Sequence, residues 1–351
     1  MNTIDELIAV LTVGSPARHR CLSVYPLISR GKCATAAYLV LDDALATGRF
    51  RVTEVSEGGS VPQLLAINGT NSPVFLLDGE ELIGAKQNRV LNLSVMLAPN
   101  SKTEILVSCV EAGRWRSESH AFRTAQRVHF ARGRAQKMEQ VSRSLCLNGE
   151  ARSDQAAVWD AISTKSARMR VESPTGAMAA MFESCDDDLR DCVDAIPIFD
   201  GQYGAAYAIG DSVVGIEAFD SDTTFQKLAP KLLASYALDA MELERTSEPP
   251  DSRAVDTFIQ SVCAAARQPT ATVGIGKMVR LSAKTLVGAA LEVGGRCAHL
   301  AAFHHEALED QARDQGVHWA RMTTSSARAR RRRCSYYHGP IRDLVQSRAY
   351  F

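Results

Sequence analysis

The stretch Pro73-Val74-Phe75-Leu76-Leu77-Asp78-Gly79-Glu80-Glu81-Leu82-Ile83-Gly84-Ala85-Lys86-Gln87-Asn88-Arg89-Val90-Leu91-Asn92-Leu93-Ser94-Val95-Met96-Leu97 decides the reading of this chain. Its apolar runs are strand-sized: Val74 to Leu77, Glu80 to Ile83 and Val90 to Leu97. Asp78-Gly79 is a turn signal between the first two. Pro99-Asn100-Ser101 turns the chain again, and Ile105 to Val110 follows as a further strand. The expectation is an antiparallel meander with Val90–Leu97 beside Ile105–Val110.

Upstream, Leu22 to Leu27, Tyr38 to Leu41 and Phe50 to Val55 also read as strands. Downstream, Glu118 to Arg143 and Asp154 to Ala167 have helical composition. Tyr207–Ile209 and Val213–Ala218 flank Gly210-Asp211 as a hairpin. Ser221 or Asp222 caps a helix whose apolar positions Phe225, Leu228, Leu232, Tyr236 and Ala240 keep a three-and-four spacing, with Pro230 predicting a kink. Val255, Phe258, Ile259 and Val262 make another helical stripe. Thr285–Val293 and Arg296–Ala302 flank Gly294-Gly295 as a final hairpin. No βαβ alternation is sustained, so the expected class is α+β, with mixed, largely antiparallel sheets and interspersed helices. The expected parts are an N-terminal segment 1–14, a β-rich half 15–150, an α+β half 151–307 and a basic tail 308–351.

The 351 residues are 46% apolar and 23% charged, which fits a globular chain and excludes general disorder. Forty basic residues balance forty acidic ones, so net charge points to neither nucleic acid nor membrane. The balance is uneven along the chain. From Leu308 to Phe351 nine Arg face four acids, five of the Arg falling within Arg328–Arg333. Nine cysteines without a CxxC pair read as reduced residues of a cytoplasmic protein rather than as a disulfide framework or zinc ribbon. No apolar run reaches membrane-helix length.

The densest polar cluster inside an apolar stretch is Glu80 to Arg89, continuing into Asn92 and Ser94. Buried amides need partners, which are other strands or a ligand. Ser108-Cys109-Val110-Glu111-Ala112-Gly113-Arg114-Trp115 brings a hydroxyl, a carboxylate, a guanidinium and an indole to the neighbouring strand end. Lys86, Arg89 and Arg114 suit phosphate or carboxylate groups. Asn88, Asn92 and Ser108 suit ribose hydroxyls or base edges, and Trp115 suits stacking on a base. Glu80, Glu81 and Glu111 are candidates for proton transfer, or for holding Mg²⁺ through oxygen. These side chains are expected to converge in one charged hollow; the competing reading is an internal polar network in which Lys86 and Arg89 pair Glu80 and Glu81. Cys109 reads as a core thiol, because no base adjoins it in sequence. The presumed helix carries Arg116, His120, Arg123, Arg127 and Arg134 on one face, which with the tail makes nucleic acid a less favoured partner.

The motif residues Leu77-Asp78-Gly79-Glu80-Glu81-Leu82, Gly84-Ala85-Lys86-Gln87-Asn88-Arg89 with Asn92, and Ser108-Cys109-Val110-Glu111 with Gly113-Arg114-Trp115 resemble a prokaryotic family, the ADP-ribosylglycohydrolase- and rhodanese-phosphatase-associated protein domain. Trp159-Asp160 with Ile162, Ser173-Pro174-Thr175-Gly176-Ala177-Met178, Gly215 through Phe219-Asp220, and Lys231-Leu232-Leu233 with Ser235-Tyr236-Ala237-Leu238-Asp239-Ala240 extend the likeness, from about residue 15 to 303. The resemblance implies a setting around NAD, ADP-ribose or related nucleotides, with ADP-ribose-processing enzymes as partners by association. It assigns no residue roles. Three readings follow: a protein that processes such a nucleotide, a non-catalytic module that binds it or a partner protein, and a nucleic-acid binder.

Overall fold

A computed structural model describes residues 2–308, apart from 30, 32–35, 57–58, 117–118, 244–246 and 306. The basic tail, beyond Leu308, lies outside the described residues.

The chain opens with α1 (Thr3–Ala9), β1 (Leu11–Val13), β2 (Ala17–His19) and β3 (Leu22–Ser29). Strand β4 (Leu39–Val40) leads into α2 (Leu41–Ala46), β5 (Phe50–Glu54) and β6 (Gln63–Asn68). The stretch quoted first forms β7 (Val74–Leu76), β8 (Glu80–Gly84), β9 (Arg89–Leu91) and β10 (Val95–Leu97), followed by β11 (Ser101–Cys109) and β12 (Phe122–Val128). Then come α3 (Ala131–Asn148), α4 (Gln155–Met169), α5 (Ala179–Ser184), α6 (Asp186–Ala195), β13 (Gln202–Ile209) and β14 (Ser212–Phe219). The rest is α7 (Asp222–Ala240), α8 (Ser252–Ala264), β15 (Ala266–Thr270), β16 (Lys277–Ser282), β17 (Leu286–Val293) and β18 (Arg296–His304).

The fold is α+β, with sheets that are almost wholly antiparallel, as expected. A nine-stranded sheet runs β1-β3-β13-β14-β18-β17-β16-β15, with β2 also on β3. β13 is buried from end to end and β17 at all but its last residue because both faces are covered. On β13, Ala205, Tyr207 and Ile209 join the core that includes α7, while Ala206 and Ala208 join the core that includes α1 and α8; this is the period-two alternation of a strand. A closed barrel runs β11-β6-β5-β12-β8-β9, and β10-β7-β4 form a small third sheet.

Two expectations are corrected. The stretch from Val74 to Val110 is not a meander. Asp78-Gly79 does not close a hairpin: Gly79 has φ +85, and the chain passes there from the small sheet into the barrel. Val90–Leu97 divides in two. β9 pairs with β11 at Val107–Leu91, Ser108–Val90 and Cys109–Arg89, whereas β10 pairs with β7.

The second correction concerns the basic helix. Phe122–Val128 is strand β12, and helix begins only at Ala131. β12 lies between β5 and β8 and closes the barrel. Without it both neighbours would carry unpaired backbone donors and acceptors. Phe122 and Val128 bury their side chains at its two ends, and a bulge between them puts Gln126 at φ +59. Arg116, His120, Arg123, Arg127 and Arg134 thus share no helical face, and the nucleic-acid reading loses that support.

Candidate functional site

Strands β8, β9 and β11 meet at one corner of the barrel. The residues between β8 and β9 (Ala85 to Asn88) and those after β11 (Val110 to Trp115) form it. Gly84 at φ +122 and Ala85 at φ +41 turn the chain sharply there. Of the candidate residues, the corner gathers Glu81, Lys86, Asn88, Arg89, Glu111, Arg114 and Trp115.

Glu111 and Arg114 are its hub. Arg114 Nε donates to Glu111 Oε2 at 2.8 Å, and its other nitrogens reach Ala85 O at 2.9 Å and Asn88 Oδ1 at 3.0 Å. Glu111 also accepts from the Asn88 amide at 3.2 Å and from Thr175 Oγ1 at 3.0 Å. Burial would raise the Glu111 pKa; the bonds from Arg114, Asn88 and Thr175 outweigh it and hold the carboxyl below its usual range. Glu111 is therefore an anchor, and the corner is closed rather than an open hollow.

Arg89 differs from every neighbour. It is 0% exposed. Its Nη1 donates to Gln87 Oε1 at 2.9 Å and Asn88 O at 3.5 Å. Its Nε and Nη2 have no hydrogen-bond partner. Among the described residues the other fully buried long cations each have a carboxylate: Arg134 has Glu217, Lys137 has Asp78 and Lys165 has Asp239. Arg89 has none. Burial draws its pKa down, yet a guanidinium stays charged at neutral pH. Half-exposed Trp115 covers it, with the guanidinium 5.8 Å from the ring centroid and the Lys86 ammonium 5.4 Å from it. Arg89 and Trp159 both act on the Cys109 thiol, whose pKa burial raises overall.

Glu81 lies one step away. Asn88 Nδ2 donates to its Oε1 at 3.3 Å, and Arg127 Nε sits 3.0 Å from Oε2. Burial raises its pKa from 4.5 to about 7, against the opposing pull of Arg127 and Asn88. Between those values the folded state holds a proton that the unfolded state has released, so stability falls as pH rises through this window. Wild-type protein is expected to lose on the order of 2 kcal/mol from this group between pH 5 and 7.5. Glu81→Gln removes that slope; urea unfolding at several pH values reads it, and equal slopes in both proteins would refute the assignment.

The remaining candidates lie elsewhere. Glu80, buried, accepts from Lys231 Nζ at 2.7 Å and the Leu77 amide at 2.9 Å, and Lys231 also holds Asp42. Asn92 accepts from Ser108 Oγ at 2.5 Å, and that hydroxyl also meets Ser153 Oγ. Glu80, Glu81 and Glu111 thus each face a different cation. Among the described residues no group of three His, Cys, Asp or Glu assembles to hold a metal.

Sequence reasoning missed a second polar seam between the barrel and the large sheet. Ser94 Oγ lies 2.9 Å from His299 Nδ1, His299 Nε2 lies 2.9 Å from Glu217 Oε2, and Arg134 Nη1 lies 2.5 Å from Glu217 Oε1. With a charged Glu217 accepting, His299 carries its proton on Nε2 and takes the Ser94 hydroxyl proton on Nδ1. A small cavity beside it is lined by Asp78, Ser94, Arg280 and His299. Burial lowers the Arg280 pKa to about 10. Partners as distant as Arg134 and Glu217 leave no local pattern to read.

Among the described residues no helix is long and apolar enough to cross a membrane. No curated protein and no solved structure matches the chain. The model of one family, described as the ARG and Rhodanese-Phosphatase-superfamily-associated Protein domain, matches residues 10–303. That span takes in every strand and helix from β1 to β17, both halves of the polar corner and the seam behind it, and on this evidence the chain belongs to that family.

Proposed function

We propose that this protein binds an NAD- or ADP-ribose-derived nucleotide at the barrel corner, with a phosphate on Arg89 and the base against Trp115. The observation that carries the reading is the unpaired Nε and Nη2 edge of Arg89. A buried cation without a counter-charge is costly, and a side-on guanidinium edge matches two oxygens of an anion. Half-exposed Trp115 offers a ring face beside it. The family name supports the nucleotide class, since it associates the domain with ADP-ribosylglycohydrolases and rhodanese-phosphatase proteins. Glu81, which titrates near neutral pH, is the proton-transfer group if the ligand is turned over.

Arg89→Met separates this site from a structural one. Removing an uncompensated charge is expected to leave the free protein as stable or about 1 kcal/mol more stable. The same change is expected to abolish the thermal shift that NAD or ADP-ribose gives the wild type. Mass spectrometry of the incubations reads turnover separately. No shift with any nucleotide, or a shift that survives Arg89→Met, would overturn the reading.

A further inference from the structure

We infer that a second site, sharing no residue with the barrel corner, binds a small uncharged aromatic molecule that bears one hydroxyl group. A cavity of about 290 Å³ lies between the turn joining β2 to β3, the last residue of α4, the start of α6 and the end of α7. Small-molecule pockets begin at about this size. Its walls indicate the class of ligand. Five lining residues carry sulfur: Cys21, Met169, Cys185, Cys192 and Met241. Thioethers and thiols are polarisable and adaptable, and sulfur packs favourably against an aromatic ring. Burial raises the pKa of Cys21, and that of Cys192 to about 11, so both thiols stay protonated and uncharged at neutral pH. Among the described residues no three metal-ligating side chains come together there.

The two charges in the lining cancel. Arg20, at φ +51 in the two-residue turn between β2 and β3, donates from Nη2 to Asp188 Oδ1 at 2.6 Å, and both side chains are about half exposed. A charged ligand would have to break that pair or sit in the cavity without a counter-charge, and an unpaired charge away from water is costly. One polar atom remains for the ligand. His19 lines the cavity, and its Nε2 is shut off from water without a hydrogen-bond partner. A neutral imidazole nitrogen donates or accepts according to its tautomer, and a hydroxyl answers either. An uncharged ring fills the sulfur-lined volume, and its hydroxyl completes His19.

Four ligands of similar size test this: 2-naphthol, 2-methylnaphthalene, 2-naphthoate and decahydro-2-naphthol. The full chain is titrated with 2-naphthol by fluorescence, and the others compete with it. 2-Naphthol is expected to bind at least about fivefold more tightly than 2-methylnaphthalene, which lacks the hydroxyl, and at least about tenfold more tightly than 2-naphthoate. The saturated alcohol is expected to bind at least about twofold more weakly, having no ring for the sulfurs. His19→Phe is expected to bring the first ratio near one. Ala240→Leu, which adds bulk at the α7 wall, is expected to weaken all four. Circular dichroism confirms that each variant is folded. Alkylation locates the site: half-buried Cys185 lines the cavity and exposed Cys146 does not. 2-Naphthol is therefore expected to slow iodoacetamide modification of Cys185 and not of Cys146, read by peptide mass spectrometry. No binding, or no selective protection of Cys185, overturns the site. 2-Naphthoate binding as tightly as 2-naphthol overturns the uncharged class, and decahydro-2-naphthol binding as tightly overturns the aromatic one.

Discussion

Replacing Arg134 by Met is expected to destabilise the protein by about 3–5 kcal/mol. Arg134 and Glu217 are both 0% exposed at the side chain. Burial raises the Glu217 pKa, and the charge and hydrogen bond of Arg134 together with the bond from His299 outweigh it. Its other oxygen accepts from His299, which in turn holds Ser94. Taking away the cation leaves a carboxylate that must either stay charged in a dry site or capture a proton. In the variant, Glu217 should therefore titrate above its unfolded value, and the stability deficit should be smaller at pH 5 than at pH 8. Denaturant unfolding at the two pH values measures this. A loss below about 1 kcal/mol, or a deficit independent of pH, would show that Arg134 is not the counter-charge the geometry makes it.

Gly133→Ala is expected to destabilise by at least about 3 kcal/mol, although Ala in place of Gly inside a helix ordinarily adds about 1 kcal/mol of stability. Gly133 is in the first turn of α3. A Cβ there would lie 1.7 Å from His129 Cε1 and 2.9 Å from Phe130 Cε2. The imidazole cannot step aside easily. It is fully buried and stacked on Phe130 at 4.4 Å between centroids, and burial pushes its pKa down to about 3. The reversal of sign is the informative part. Gly149→Ala is the contrasting change: that glycine caps α3 at φ +71 with nothing within 4 Å, so its cost is conformational rather than steric. A Gly133→Ala protein as stable as wild type in thermal unfolding would mean that His129 has room to move.

What could be read from the sequence was local. The hairpins at Gly210-Asp211 and Gly294-Gly295 were legible because turn and strands are contiguous, and Gly210, Gly294 and Gly295 adopt the positive φ such turns need. Helix α4 was legible from the helical composition of Asp154 to Ala167, and the Asp154 side chain caps it. Phe122–Val128 was not. Its two arginines, glutamine and alanine give no strand pattern, and barrel closure overrides composition. Within the corner, Asn88, Arg89, Glu111, Arg114 and Trp115 lie together because β9 and β11 are neighbours. Glu80 was misplaced because its partner, Lys231, sits on α7 in the second half of the chain. Pro230 lies inside that same helix, which runs unbroken from Asp222 to Ala240.

The order of strands in the large sheet sets a timetable for synthesis. β3 leaves the ribosome well before β13, its neighbour from Gln202–Ile28 to Ile209–Leu22, which is made only after the whole barrel and four further helices. β1 and β2 both line the same flank of β3. Its opposite flank has no strand to pair with until β13 is made, so the row of amides and carbonyls along this apolar ribbon must wait for a partner from the far half of the chain.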